Sequence, residues 1–158
     1  MSGSGSPTVR ATAPDARVAV VAASWHDEVM TALIASSVRT VRAAGGHAEV
    51  FRVPGSFELA LGAQAAANAG FDAVVALGVV IRGGTPHFEY VCDAATSGLN
   101  RVALDTGVPI GFGVLTCDTE QQAYDRAGLP GSSEDKGAEA ANAALAMIGV
   151  LREIAEAK

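Results

Sequence analysis

The chain has 158 residues, of which 49% are hydrophobic but only 5% aromatic, and its formal net charge is −6. That length suits one domain, and the composition predicts a core packed from Ala, Val, Leu and Gly, as in layered α/β structures whose helices lie close on a sheet. The negative charge argues against nucleic acid or anionic membrane as a partner, and no apolar run has the length or the basic leader of a membrane or targeting segment, which predicts a cytoplasmic protein.

Residues 1–15 (MSGSGSPTVRATAPD) are small, polar and rich in Pro and Gly, which predicts a flexible tail ahead of a single domain over 16–158. Residues 17–23 (RVAVVAA) form a short apolar, β-branched run that predicts a strand. Val29, Leu33, Ser37 and Val41 then recur at helical spacing until Gly45-Gly46. Residues 47–53 alternate like a strand, and a helix over about 57–69 stops at Gly70. Residues 72–82 (DAVVALGVVIR) are the longest apolar run and predict a strand buried on both faces. Phe88, Val91, Cys92, Ala95, Leu99, Val102 and Ala103 predict a third helix, with Gly107 as its stop. A fourth strand over 109–115 and two helices, about 119–127 and 134–156, complete the chain. Cys92 and Cys117 stand in no CxxC spacing, which predicts two reduced, semi-buried thiols and neither a zinc site nor a redox motif.

Strand–helix–strand repeated in this way implies a three-layer α/β/α fold with a four-stranded parallel, flavodoxin-like sheet in the order 2-1-3-4. Ligands of such sheets bind beyond the carboxyl ends of the strands, so the βα turns are where chemistry is expected. The first turn carries Ser24 as a candidate helix cap and Trp25, the only Trp, which either stacks on a flat heterocycle or packs over the end of the core. The second carries Gly55, Ser56 as a candidate cap, Phe57 and Glu58; a carboxylate there suits a helix dipole or a polyol ligand. The third, Arg82-Gly83-Gly84-Thr85-Pro86-His87, combines a Gly-Gly backbone, a capping Thr and a first-turn Pro. It opens a helix N-terminus to an anion such as phosphate, although it is neither a Walker A loop nor GxGxxG. His87 would sit in the first helical turn, where the positive dipole end favours neutral imidazole, either as a proton-transfer group beside that anion or merely exposed.

In order along residues 17–153, these segments resemble the lumazine synthases. The resemblance is carried by VAASWH at 21–26, VPGSFE at 53–58, ALGVVIRGGTPHFEYVC at 76–92, GFGVLT at 111–116, DRAG at 125–128 and EDKG at 134–137, the Trp-His and Leu-Pro details being those of actinobacterial members. It implies the penultimate step of riboflavin biosynthesis: 5-amino-6-(D-ribitylamino)uracil condenses with 3,4-dihydroxy-2-butanone 4-phosphate, phosphate and water leave, and 6,7-dimethyl-8-ribityllumazine forms, with no metal or organic cofactor. It further implies that Trp25 stacks on the pyrimidine, that backbone groups of Val79, Val80 and Ile81 read its polar edge, and that Ser56, Phe57 and Glu58 place the ribityl chain. Gly83, Gly84 and Thr85 would hold the phosphate, with His87 as the proton-transfer residue. Arg126 on the phosphate, and Phe112 and Lys136 on the ring and ribityl chain, would come from a neighbouring subunit. Gly84 stands where many members carry a bulkier residue.

The resemblance therefore implies a homo-oligomer with sites between subunits, and allows an association with riboflavin synthase. The link Leu129-Pro130-Gly131-Ser132-Ser133-Glu134-Asp135 is longer and Pro-containing where capsid-forming members carry a short Gly-rich link, which predicts a homopentamer without an icosahedral shell. A shell or binding protein without turnover would need none of His87, Arg126 and Lys136, and a generic nucleotide-binding module would not carry the stretch at 76–92.

Overall fold

The computed structural model describes residues 10–157. Four strands, β1 (Arg17–Ala23), β2 (His47–Val53), β3 (Ala73–Ile81) and β4 (Ile110–Cys117), form one parallel sheet in the order β2-β1-β3-β4. Helices α1 (Asp27–Ala43), α2 (Leu59–Asn68), α3 (His87–Thr106), α4 (Glu120–Tyr124) and α5 (Lys136–Glu156) connect and follow them. The expected fold class and strand order are both present. The central strands, β1 after Arg17 and β3 along its length, are apolar because both their faces are covered; the edge strand β2, with its Arg and Glu, is largely exposed.

The pleat divides the core in two. Val18, Val20 and Ala22 point toward Met30, Leu33 and Val41 of α1 and toward Ala141, Leu145 and Ile148 of α5. Ala19 and Val21 point the other way, toward Leu59 and Ala63 of α2 and Leu99 and Val102 of α3. Each fully buried Leu adds about 1.5–3 kcal/mol of transfer free energy. Two glycines let α5 approach: a side chain at Gly111 of β4 would meet the Ala140 carbonyl oxygen at 2.1 Å, and one at Gly137 would meet that of Leu33 at 2.5 Å. Ser37 then donates a hydrogen bond to the Gly137 carbonyl at 2.9 Å, fastening α1 to the start of α5.

Several boundaries differ from the sequence expectation. The residues expected to open the second helix form a separate 3-10 turn, Ser56–Glu58, before α2. Asp72 does not enter β3; its carboxylate accepts the Arg17 N–H at 2.7 Å. β4 runs on to Cys117 because Thr116 and Cys117 pair with Val80 and Ile81. Met1–Val9, most of the expected tail, lie outside the described residues. Ala13, placed in that tail by composition, is buried in the core, and its N–H bonds to the Ala44 carbonyl at 2.9 Å.

Candidate active site

The β1 turn is built without the expected cap. Ser24 Oγ donates to the Val53 carbonyl at 2.8 Å and so ties the ends of β1 and β2 together. His26, at φ 58° and ψ 64°, turns the chain into α1 instead. This left-handed residue lifts Trp25 off the sheet, leaving it 68% exposed rather than packed over the core. The neighbouring β2 turn lies directly beneath: a side chain at Gly55 would meet Glu58 Oε2 at 3.2 Å and Trp25 Nε1 at 3.6 Å. Gly55 thus keeps open the space between indole and carboxylate.

Ser56 does not cap a helix either. It is buried, and its Oγ has no hydrogen-bond partner among the described residues. It faces β3 at Gly78, where a side chain would come within 2.6 Å of that oxygen. A buried hydroxyl without a partner is costly, so this oxygen is primed to bond whatever enters beside it. Phe57 is 65% exposed and Glu58 half-buried. Along β3, Val79 is buried while Val80 and Ile81 are partly open at the sheet edge.

The β3 turn, Gly83 to His87, is exposed along its whole length. Side chains at Gly83 or Gly84 would meet nothing within 4 Å, so nothing packs over the side-chain position of either glycine. Pro86 takes the cap position with no side-chain cap, so Thr85 does not cap as expected, and His87 is the first residue of the 20-residue α3. A helix of that length presents unbonded N–H groups and a positive dipole end at its start, which suits an anion.

Phe112, Arg126 and Lys136 gather elsewhere, along a groove of about 630 Å³ between β4, α4 and α5. Phe112 pairs with Ala76, five residues before Ile81. At about 3.3 Å per residue this sets it roughly 16 Å back from the sheet edge where Gly83 begins. None of the residues from the three turns lines this groove. The structure therefore brings the predicted residues together as two groups, not one.

The second group is arranged by acids that the sequence reading passed over. Glu134 pairs with Lys136 and stands 3.8 Å from Arg126 Nε, and Glu139 holds Lys136 at 2.7 Å. Arg126 also donates to the Gln122 carbonyl at 2.9 Å. Burial works against the Lys136 charge, but hydrogen bonds to Glu134 and Glu139 outweigh it and hold its pKa above the ordinary lysine value. Lys136 is thus a fixed cation and not a base. The signal for Glu134 was its place two residues from Lys136, which becomes meaningful only once the chain turns there. Cys92 is half-buried and Cys117 buried; both are free, and burial raises both thiols above the ordinary cysteine value, so neither is an activated nucleophile.

Among the described residues, no helix is long and apolar enough to cross a membrane. Compared with known proteins, residues 15–152 match the model of the 6,7-dimethyl-8-ribityllumazine synthase family. The chain is similar to proteins of that name from Leifsonia xyli subsp. xyli, at 61% identity covering 98% of this chain and 99% of that one, and from Clavibacter michiganensis subsp. michiganensis, at 61% identity covering 98% of each. A Streptomyces coelicolor protein of the same name is 56% identical over 99% of this chain and 98% of its own. With an aromatic and a carboxylate facing each other across one turn, an open helix N-terminus at the next, and agreement over nearly the whole length, this chain belongs to the 6,7-dimethyl-8-ribityllumazine synthase family.

Proposed function

We propose that the chain condenses 5-amino-6-(D-ribitylamino)uracil with 3,4-dihydroxy-2-butanone 4-phosphate at sites assembled from two copies of itself. The observation that carries this is the separation of the two residue groups: the Phe112–Arg126–Lys136 groove shares no lining residue with the turns, and its Phe112 lies roughly 16 Å back along the sheet from where Gly83 begins. A ring of copies in head-to-tail contact would join one half to the other at every interface.

In this reading the pyrimidine lies on Trp25, its polar edge meets backbone groups of Val79, Val80 and Ile81, and its ribityl hydroxyls reach Ser56, Phe57 and Glu58. The orphan Ser56 Oγ gains the partner it lacks. The ketone phosphate sits on the N–H groups of Gly83, Gly84 and Thr85, and Arg126 of the next copy closes over it with a charge-assisted bond. Phe112 and Lys136 of that copy cover the ring and the ribityl chain. His87 stands beside the phosphate cradle and moves protons as the amine adds to the ketone and water and phosphate leave. Both substrates are reactive before they bind, so orientation supplies most of the acceleration and one imidazole suffices.

The catalytic unit is the single domain over 16–158, and the two polar substrates suit a cytoplasmic reaction. The assembly we propose is a homopentamer without a shell. Its link is pinned in place, Ser132 Oγ accepting the Leu129 N–H at 2.9 Å, with Pro130 between them. Association with riboflavin synthase is a further part of the proposal. Mixing the purified protein with both substrates and following lumazine absorbance tests the activity, and no product would refute it. Light scattering tests the assembly: a megadalton particle would refute the pentamer, and a monomer would refute the shared site.

A further inference from the structure

The Gly83–His87 loop has no packing of its own. Its residues are exposed, nothing lies within 4 Å of where a side chain on either glycine would sit, and the helix it feeds has no side-chain cap. A Gly-Gly segment left to itself samples many backbone states, which would scatter the N–H groups that an anion needs. Arg82 precedes this loop and Glu89 follows it in the first turn of α3. The Arg82 guanidinium reaches both sides: Nη1 pairs with Glu89, and Nε donates to Asp118 Oδ1 at 2.7 Å, just beyond the end of β4. Its Cζ lies 4.2 Å from the centre of the Phe88 ring, and its backbone N–H bonds to the Cys117 carbonyl at 2.9 Å.

We propose that Arg82 is a positioning residue for the reaction, clamping the loop between β4 and α3 so that the Gly83, Gly84 and Thr85 N–H groups and the His87 imidazole are held in register for the phosphorylated ketone. This rests on the reading of that loop as the phosphate site. A guanidinium suits the task because its planar fork donates in two directions at once, to Asp118 and to Glu89, while its face stacks on Phe88; a lysine ammonium can bridge two carboxylates, as Lys136 does, but has no planar face to stack on the ring. Arg82 is not the phosphate's own cation. One positive charge shared by two carboxylates leaves the trio net negative, so the balancing charge comes from Arg126. Exposed ion pairs contribute little to global stability, so the clamp acts on loop geometry and not on the fold.

The test is steady-state kinetics on Arg82→Ala, Arg82→Lys, Glu89→Gln and, as reference, Arg126→Ala, with inorganic phosphate as a competing probe and a thermal melt of each variant. Arg82→Ala is expected to raise KM for the phosphorylated ketone and the inhibition constant of phosphate about 5- to 10-fold, in the way that misplacing a binding group does. KM for the aminouracil and Tm should stay near their starting values. Arg82→Lys should not restore the wild-type value, and Glu89→Gln, which loosens one arm, should shift the same constants in the same direction by about 2- to 5-fold. An unchanged ketone KM in Arg82→Ala, beside a raised one in Arg126→Ala, overturns the clamp alone. An unchanged ketone KM in both overturns the phosphate reading together with the clamp. A lowered Tm with both KM values intact, or tighter phosphate binding in Glu89→Gln, also overturns it, since the first marks a merely structural role and the second marks Arg82 as a direct ligand.

Discussion

The three βα turns and the β4–α5 groove solve opposite problems. The turns present surfaces with little of their own to hold them: Trp25 and Phe57 are about two-thirds exposed and nothing packs over the side-chain position of Gly83 or Gly84. The groove presents cations already held by acids, with Lys136 between Glu134 and Glu139 and Arg126 near Glu134. On the function proposed above, neither region is a site by itself. The turns then take Arg126 and Lys136 from a neighbouring copy's groove, and the groove takes Trp25 and His87 from a neighbouring copy's turns.

The comparison breaks if His87 is not a proton carrier. His87→Ala should lower kcat by up to about 10²-fold, the scale of general acid/base effects, with little change in either KM; full turnover with weaker substrate binding would move His87 to a binding role. Arg126→Ala should raise KM for the phosphorylated ketone about 10- to 100-fold, as loss of a charged hydrogen bond does, and leave the aminouracil unaffected. These two variants also sharpen the comparison when combined. Refolding them as a mixture should restore about a quarter of wild-type activity, because in a head-to-tail ring one interface in four joins an intact His87 to an intact Arg126. No recovery would place both halves on one chain. Trp25→Ala should weaken aminouracil binding roughly tenfold, within the range for one aromatic–base stack, without altering the ketone KM. The smallest effect is expected of Gly84→Ala. Gly84 is not in the left-handed region and has open space around it, so the change should stabilise the protein by about 0.4–1 kcal/mol through the unfolded chain and leave kcat intact.

The strands were legible because burial writes itself into composition: a strand covered on both faces, like residues 73–81, must be apolar throughout. The strand order was inferred from the flavodoxin-like pattern of alternating strands and helices, and the helix ends from Gly45, Gly70 and Gly107, each of which adopts positive φ. The caps were not legible. Ser24, Ser56 and Thr85 all look like caps in sequence, yet Ser24 bonds across to β2, Ser56 is folded under β3, and Pro86 takes the cap position after Thr85. A hydroxyl goes to the acceptor that the tertiary fold brings nearest, and local sequence does not encode that. The Arg82–Asp118 contact was hidden for the same reason: it exists because Ile81 pairs with Cys117, a register that no spacing within either segment reveals. The division of the candidate residues into two groups came only through the family resemblance, since each turn read alone admits a purely structural explanation.

The exposure of the single Trp has a spectroscopic consequence. In most small domains a buried indole reports unfolding by shifting its emission to the red. Here Trp25 faces solvent in the folded single chain, so unfolding of a lone copy should leave its emission maximum almost unmoved. A pyrimidine laid on that ring, or a neighbouring copy closing over it, changes its surroundings far more than unfolding does. Under the proposed function, the chain's intrinsic fluorescence should therefore report ligand occupancy and assembly, without a label and without turnover.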